Sequence, residues 1–339
     1  MSSNIPLQRK GRLPVRTLLA LSLASLLVAL TCAADLPDEV FDPGNLVSGV
    51  SADRAGCETQ RDTVWVTHAE GQECIRYFAS ANARGAPVAA LFFHGDRLDG
   101  RFAIAYKDNR ASVLQAQVEG LARVNGVPYV YVARPGTYGS SGRHTERRRL
   151  KEYLSMNAAV DAIKARLGLS AVHLGGQSGG AAVVGALLTL GRTDVRCAVA
   201  SSGPYDAIGR ANTVAAQTGR GQRGCDTTGW CDPYNVVDHV AGVKADPARR
   251  ILLVGDPADT NTPFVFQQAF ADRLREAGHA AVLLPAEANG PQRHSLQHMT
   301  NRMLGWCNAG LSDDEIARLV ADKAPALHAR KAGSKEALE

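Results

Sequence analysis

The chain has 339 residues, 45% of them hydrophobic and 21% charged, with a formal net charge of +5. That composition supports an ordinary buried core, in one large domain with appendages or in two small ones. Four basic residues, Arg9, Lys10, Arg12 and Arg16, fall within residues 1–33, which hold no acid, so the remainder is nearly neutral. No basic block interleaved with aromatics remains, and no nucleic-acid partner is expected.

The basic region ends at Arg16, and an apolar run, Thr17–Leu30, follows with small residues Thr31, Cys32, Ala33 and Ala34 after it. This is the pattern of a cleaved secretory signal peptide over residues 1–33. The run is short for a membrane span of about 20 residues, so cleavage is expected rather than an uncleaved anchor. A lipidated Cys32 is the weaker alternative, because Thr31 precedes it where Gly, Ala or Ser is usual. After cleavage no stable membrane insertion is expected, and the protein is read as periplasmic or extracellular.

Residues 34–60 read as an N-terminal arm with turn residues Pro37, Pro43 and Gly44. Strands are expected near 63–68 and 73–79. Continuous apolar runs then recur at 87–93, 128–133, 171–174, 195–200, 250–254 and 280–284. Such runs suit strands buried on both faces of a sheet. Helical stretches separate most of them, at about 111–124, 148–167, 179–190 and 263–277. The alternation predicts an α/β fold, a mostly parallel central sheet with helices on both faces, over residues 61–310.

One interval breaks the rhythm. About 45 residues, 204–248, separate two strands and are rich in Gly, Asp, Asn and Thr, with Cys225, Trp230, Cys231 and Tyr234 among them. A segment that long is usually functional. It is read as a cap or lid inserted in the domain, with a peripheral decoration as the alternative. Residues 311–339 open with Ser312-Asp313-Asp314-Glu315, a capping box for a short helix, and end in a frayed tail.

Beyond Cys32 there are six cysteines: Cys57, Cys74, Cys197, Cys225, Cys231 and Cys307. An even number in an exported chain points to disulfides, with 15 pairings open. Cys225 with Cys231 would close a small loop, Cys57 with Cys74 would tie the arm, and Cys197 with Cys307 would remain. No Cys-x-x-Cys pair exists, so zinc is not expected.

The segment Gly176-Gln177-Ser178-Gly179-Gly180 follows one apolar run and opens a helical stretch. A serine there sits on a sharp strand-to-helix turn, beside the first backbone N–H groups of the helix. A serine hydroxyl needs a base in hydrogen-bond reach and a third group to orient the base. In an open parallel sheet such groups collect at the carboxyl ends of strands. The acid is expected in the loop after residues 250–254, as Asp259, with Asp256 as competitor; either Asp could instead cap the helix starting near Pro263. The base is expected as His294, in the turn before the last core helix, rather than His298 one turn later. His294 and His298 form a His-x-x-x-His pair, but the glutamate of a zinc protease helix is missing. Neither a metal nor another cofactor is expected.

With serine, acid and histidine in this order, residues 60–310 resemble the α/β-hydrolase superfamily, including the hydrolase domains of prolyl-oligopeptidase-like enzymes. The resemblance rests on the serine elbow, on His94-Gly95 after an early strand, on Pro135-Gly136-Thr137-Tyr138-Gly139-Ser140-Ser141 after the next, and on the loop from Asp259 to Pro263. It implies an oxyanion hole formed by the backbone N–H groups of Asp96 and Gly179, with His94 and Gly95 shaping the first of these. Arg134, Tyr138 and Arg143 are candidates to line the pocket. Two departures stand out: an extra residue between Gly255 and Asp259, and Arg134 where many relatives carry Asp.

The expected function is hydrolysis of a carboxylic ester by Ser178, His294 and Asp259 through an acyl-serine. A serine peptidase or an acyltransferase would use the same three residues, and a non-catalytic binding protein would use none of them. The expected partner is a small ester or peptide; the sequence does not specify an oligomeric state.

Overall fold

A computed structural model describes, besides Met1, residues 38–99, 102–103, 109–219 and 224–323. The described residues from Glu39 onward form one compact unit. The signal-peptide reading, with Cys32, lies outside the described residues, as does the tail beyond Lys323. Among the described residues no helix is long and apolar enough to cross a membrane.

Eight strands build the central sheet: β1 (Thr63–His68), β2 (Gly71–Ala79), β3 (Val88–Phe93), β4 (Tyr129–Val132), β5 (Ala171–Gln177), β6 (Val195–Ser201), β7 (Arg250–Gly255) and β8 (Ala281–Pro285). Their spatial order is β1-β2-β4-β3-β5-β6-β7-β8. Only β2 runs antiparallel to its neighbours; β3 to β8 are mutually parallel. The helices are α1 (Ala111–Asn125), α2 (Leu150–Leu167), α3 (Gly179–Thr189), α4 (Ala207–Thr218), α5 (Phe264–Glu276), α6 (Gln297–Asn308) and α7 (Asp313–Ala321), with shorter turns between. The expected mostly parallel sheet, covered on both faces, is therefore present.

Strand alternation divides the core in two. Leu91 and Phe93 of β3 join Val160 of α2, Val184 of α3 and Phe270 of α5 on one face. Ala90 and Phe92 point the other way, toward Val118 of α1, Met303 and Trp306 of α6 and Ile316 of α7. Side chains two apart on a strand share a face, so one apolar strand feeds both layers. The capping box at Ser312 is formed and starts α7.

The three disulfides follow the pairing Cys57–Cys74, Cys197–Cys307 and Cys225–Cys231. The first ties the short helix Arg54–Thr59 to β2 and the second joins β6 to α6. The third closes a small loop within the insertion. That insertion is less irregular than its composition implies. Asp206 caps α4 by accepting from the Gly209 N–H at 2.8 Å, and residues Val236–Gly242 form a 3-10 helix. Its Gly and Thr content hid this helix, which local capping and packing nonetheless stabilise.

Candidate active site

The turn between β5 and α3 is tight. A Cβ at Gly176 would lie 2.2 Å from the Gly180 carbonyl oxygen, and one at Gly180 would lie 2.0 Å from that of Phe93. Only glycine allows strand and helix to approach so closely. Ser178 itself takes φ 56° and ψ −122°, a conformation that costs a non-glycine residue about 1–3 kcal/mol. Its N–H is held by the Ser201 carbonyl of β6 at 2.8 Å. The strain raises the hydroxyl clear of the sheet.

The loops after β7 and β8 bring two more groups to that hydroxyl. His294 Nε2 lies 2.8 Å from Ser178 Oγ, and His294 Nδ1 lies 2.7 Å from Asp259 Oδ2. A carboxylate only accepts, so Nδ1 carries the proton and Nε2 is left as the acceptor for the serine hydroxyl. The Asp259 side chain is fully buried and the His294 ring is 17% exposed. Oδ1 of Asp259 accepts from the N–H groups of Asn261 and Thr262, both at 2.8 Å, which fixes the carboxylate. Gln177 Nε2 donates to the His294 carbonyl oxygen at 3.1 Å, tying the histidine loop to the elbow.

The competing acid, Asp256, serves elsewhere. It accepts from the Ala288 N–H at 2.7 Å, from Arg293 Nε at 2.7 Å and from the Ala258 N–H at 2.8 Å. Burial acts to raise its pKa, but these donors outweigh it and hold the carboxyl below the usual range. Asp256 thus braces the loop that carries His294 without touching the ring. His298 sits in the first turn of α6, against Asn289.

Gly95 passes directly over the elbow: a Cβ there would lie 3.4 Å from Ser178 Cβ. Among the described residues, no carbonyl or side chain accepts from the N–H of Asp96 or of Gly179. His94 is fully buried, with Nδ1 donating to the Gly95 carbonyl at 2.7 Å and Nε2 accepting from the Arg134 N–H at 3.3 Å. Burial, then the charges of Arg97 and Arg134, push its pKa well below 6.5. A neutral ring therefore joins the loops after β3 and β4.

The side chain of Asp96 has a role the sequence did not disclose. It is ringed by Arg134 at 2.9 Å, Arg147 at 3.0 Å and Arg148. Burial acts against its charge, but Arg148, Arg147 and Arg134 prevail and hold the carboxyl well below its usual range. Glu152 completes the network: it accepts from Arg134 Nε at 2.8 Å and from the Arg148 N–H at 2.6 Å. One signal was legible. Arg147-Arg148-Arg149 lies at the start of α2, where the helix dipole disfavours cations, so another partner had to hold them.

Arg134 is therefore a buried brace, and Tyr138 packs edge-on to His94 at 5.3 Å between ring centroids. Arg143 is exposed and lies against Gly49 rather than at the serine. The insertion docks on the arginine segment. Trp230 Nε1 donates to the Thr145 carbonyl at 2.8 Å, the Tyr234 N–H donates to the Arg148 carbonyl at 2.8 Å, and Arg149 lies 4.4 Å over the Trp230 ring.

No family model matches the chain, and no curated protein matches it. Solved structures do. The Pyrococcus furiosus esterase Pf2001 superposes with a TM-score of 0.51 at 16% identity, over 83% of this chain and 98% of that one. The chain has the α/β-hydrolase fold. Est1E from Butyrivibrio proteoclasticus, solved with ferulic acid, gives a TM-score of 0.47 at 13% identity, over 76% of this chain and 98% of that one. A Pyrococcus horikoshii acylaminoacyl peptidase gives 0.44 at 15% identity over 68% of this chain, which spans only 38% of that peptidase; another acylaminoacyl peptidase is likewise spanned over only 36% of its length. In an α/β-hydrolase sheet, reactive groups gather where parallel strands end. Here the segments that follow β3, β5, β7 and β8 carry His94 and Asp96, Ser178, Asp259 and His294 respectively.

Proposed function

We propose that this protein is a serine hydrolase that cleaves a carboxylic ester through an acyl-serine intermediate. One observation carries the reading: the unbroken hydrogen-bond chain from Ser178 Oγ through both nitrogens of His294 to Asp259. In this scheme His294 Nε2 takes the Ser178 proton as Oγ attacks the ester carbonyl. Asp259 holds the ring and favours the imidazolium that forms. The tetrahedral oxyanion accepts from the N–H groups of Asp96 and Gly179, each worth about 2.7–4 kcal/mol. His294 then returns the proton to the leaving alcohol. Water, deprotonated by the same nitrogen, attacks the acyl-serine and releases the acid.

The three disulfides fit an oxidising compartment, and export is the location we propose, with residues 1–33 as the cleaved signal and 204–248 as a cap on the 61–310 domain. The test is pre-steady-state hydrolysis of p-nitrophenyl acetate, set against aminoacyl and peptidyl p-nitroanilides. An ester hydrolase gives a p-nitrophenol burst, an acetylated Ser178 by mass spectrometry and little anilide turnover. Faster anilide than ester turnover would make it a peptidase. Turnover unaffected by Ser178→Ala would remove the triad.

A further inference from the structure

The reaction proposed above uses none of the charge carried by Arg210. This residue comes from α4, in the insertion, and reaches the loop that holds Asp259. Its Nε donates to the Asn261 carbonyl at 2.9 Å and to Thr262 Oγ1 at 3.1 Å, and its Nη2 donates to Asn261 Oδ1 at 2.7 Å. Every one of these acceptors is neutral. Among the described residues Arg210 forms no ion pair, although Asp96 and Asp259 both lie within electrostatic range. Burial, reinforced by the nearby charge of Arg148, pulls its pKa down to about 10.

Arg148 is the second cation. It is 4% exposed, and its Nε is buried with no hydrogen-bond partner. Its terminal nitrogens reach Asp96 and, at 3.5 Å, Asp226. One hydroxyl stands between the two guanidiniums: Thr227 Oγ1 lies 3.3 Å from Arg210 Nη1 and 3.4 Å from Arg148 Nη1. Arg148 is already paired with Asp96 and Asp226, whereas Arg210 faces neutral acceptors alone, so an anion that displaced the rotatable Thr227 hydroxyl would give the buried Arg210 a charged partner.

We infer that Arg210 and Arg148 form the anion-recognising part of the substrate site, and that the preferred ester carries a carboxylate. This inference rests on the hydrolase reading and names the substrate class of that same site. The charge balance favours a monoanion. Asp96, Glu152 and Asp226 are set against Arg134, Arg147 and Arg148, while Arg210 touches neutral acceptors only and has Asp259 as a counter-charge at longer range, so no more than one further negative charge is accommodated. A carboxylate also fits the planar fork of a guanidinium through two parallel hydrogen bonds. Thr227 is only partly buried, and rotation of its hydroxyl would free a donor on each arginine.

The experiment compares matched esters on the purified protein. For an acyl-side carboxylate, mono-p-nitrophenyl adipate is set against p-nitrophenyl hexanoate. For an alcohol-side carboxylate, 4-acetoxybenzoate is set against its methyl ester. In one of the two pairs the carboxylated ester should have a kcat/KM at least about tenfold higher, as charge-assisted hydrogen bonds imply. That ratio should shrink as NaCl rises from 50 to 500 mM. It should collapse toward unity in Arg210→Gln and be largely kept in Arg210→Lys. Because the readout is a ratio within each variant, a general loss from a disturbed Asp259 loop cancels. Wild-type protein that cleaves the neutral member of both pairs as fast or faster, in a Ser178-dependent way, overturns the inference and leaves the hydrolase reading standing. Ester cleavage that persists in Ser178→Ala, or none at all, removes both.

Discussion

The amide of Gln177 donates to the backbone carbonyl of His294 at 3.1 Å. The residue immediately before the serine thus holds the loop that supplies its proposed base. Position, rather than charge, is what this bond contributes. Gln177→Ala should lower kcat on p-nitrophenyl acetate by about tenfold with little change in KM, because small misplacement of a base is costly to rate. A rise in KM with unchanged kcat would assign Gln177 to substrate binding instead.

The two acids of the β7 loop should separate cleanly. Asp259→Asn should reduce kcat by a factor on the order of 10⁴, as loss of the orienting carboxylate leaves the wrong tautomer. Asp256→Asn should keep far more activity but cost about 1–3 kcal/mol of stability, because Arg293 and the Ala288 N–H lose an ionised acceptor. Steady-state kinetics and urea unfolding on both variants check this. Equal activity losses would mean that Asp256 does more than brace the loop.

Acid should weaken the fold through buried histidines. Burial pulls His173 down to about 4, and pushes His94 and His144 well below 6.5 with help from neighbouring arginines. Their folded-state pKa lies below the unfolded value, so above about pH 6.5 both states are neutral and nothing is lost. Below it the unfolded chain takes up protons that the folded chain refuses. Stability should therefore fall as pH drops from about 6.5 toward 4, by about 3 kcal/mol from His173 alone. Urea midpoints at pH 7.5, 6 and 5 measure this, and His173→Gln should flatten the slope. A midpoint that does not move over that range would contradict it.

The disulfides should differ in worth according to the loops they close. Cys197–Cys307 spans 110 residues and Cys225–Cys231 only 6. Chain entropy assigns about 5 kcal/mol to the first and about 2 kcal/mol to the second. Paired Cys→Ala variants, compared by guanidinium unfolding, should rank in that order. The small loop should nonetheless matter more for carboxylated esters, since it holds Thr227 and Asp226 against Arg148.

The sheet was legible because its strands are short, apolar and separated by helical stretches; β3 and β5 carry no Asp, Glu, Lys or Arg. The elbow was legible because strand, glycines and helix follow in one segment. The choice between Asp256 and Asp259 was not, since both lie in one loop and only the contacts of Ala288 and Arg293 divide their tasks. The arginine network was hidden for a different reason. Asp96 and Arg148 are 52 residues apart, and Arg148 and Asp226 are 78 apart, so no local pattern announces a charge that is satisfied across the fold. Helix α4 is not legible in the composition of the insertion, because its stability comes from the Asp206 cap and from Asn235, which accepts from the Ala207 N–H at 2.8 Å.

The proposed chemistry requires Ser178 to be an activated nucleophile. Labelling of the native protein with a fluorophosphonate, followed by peptide mass spectrometry, measures that directly. The predicted result is a single adduct on the peptide bearing Ser178, absent in Ser178→Ala and slowed by at least about a thousandfold in His294→Ala. A folded protein that takes up no label, or takes it up on another residue, would contradict it.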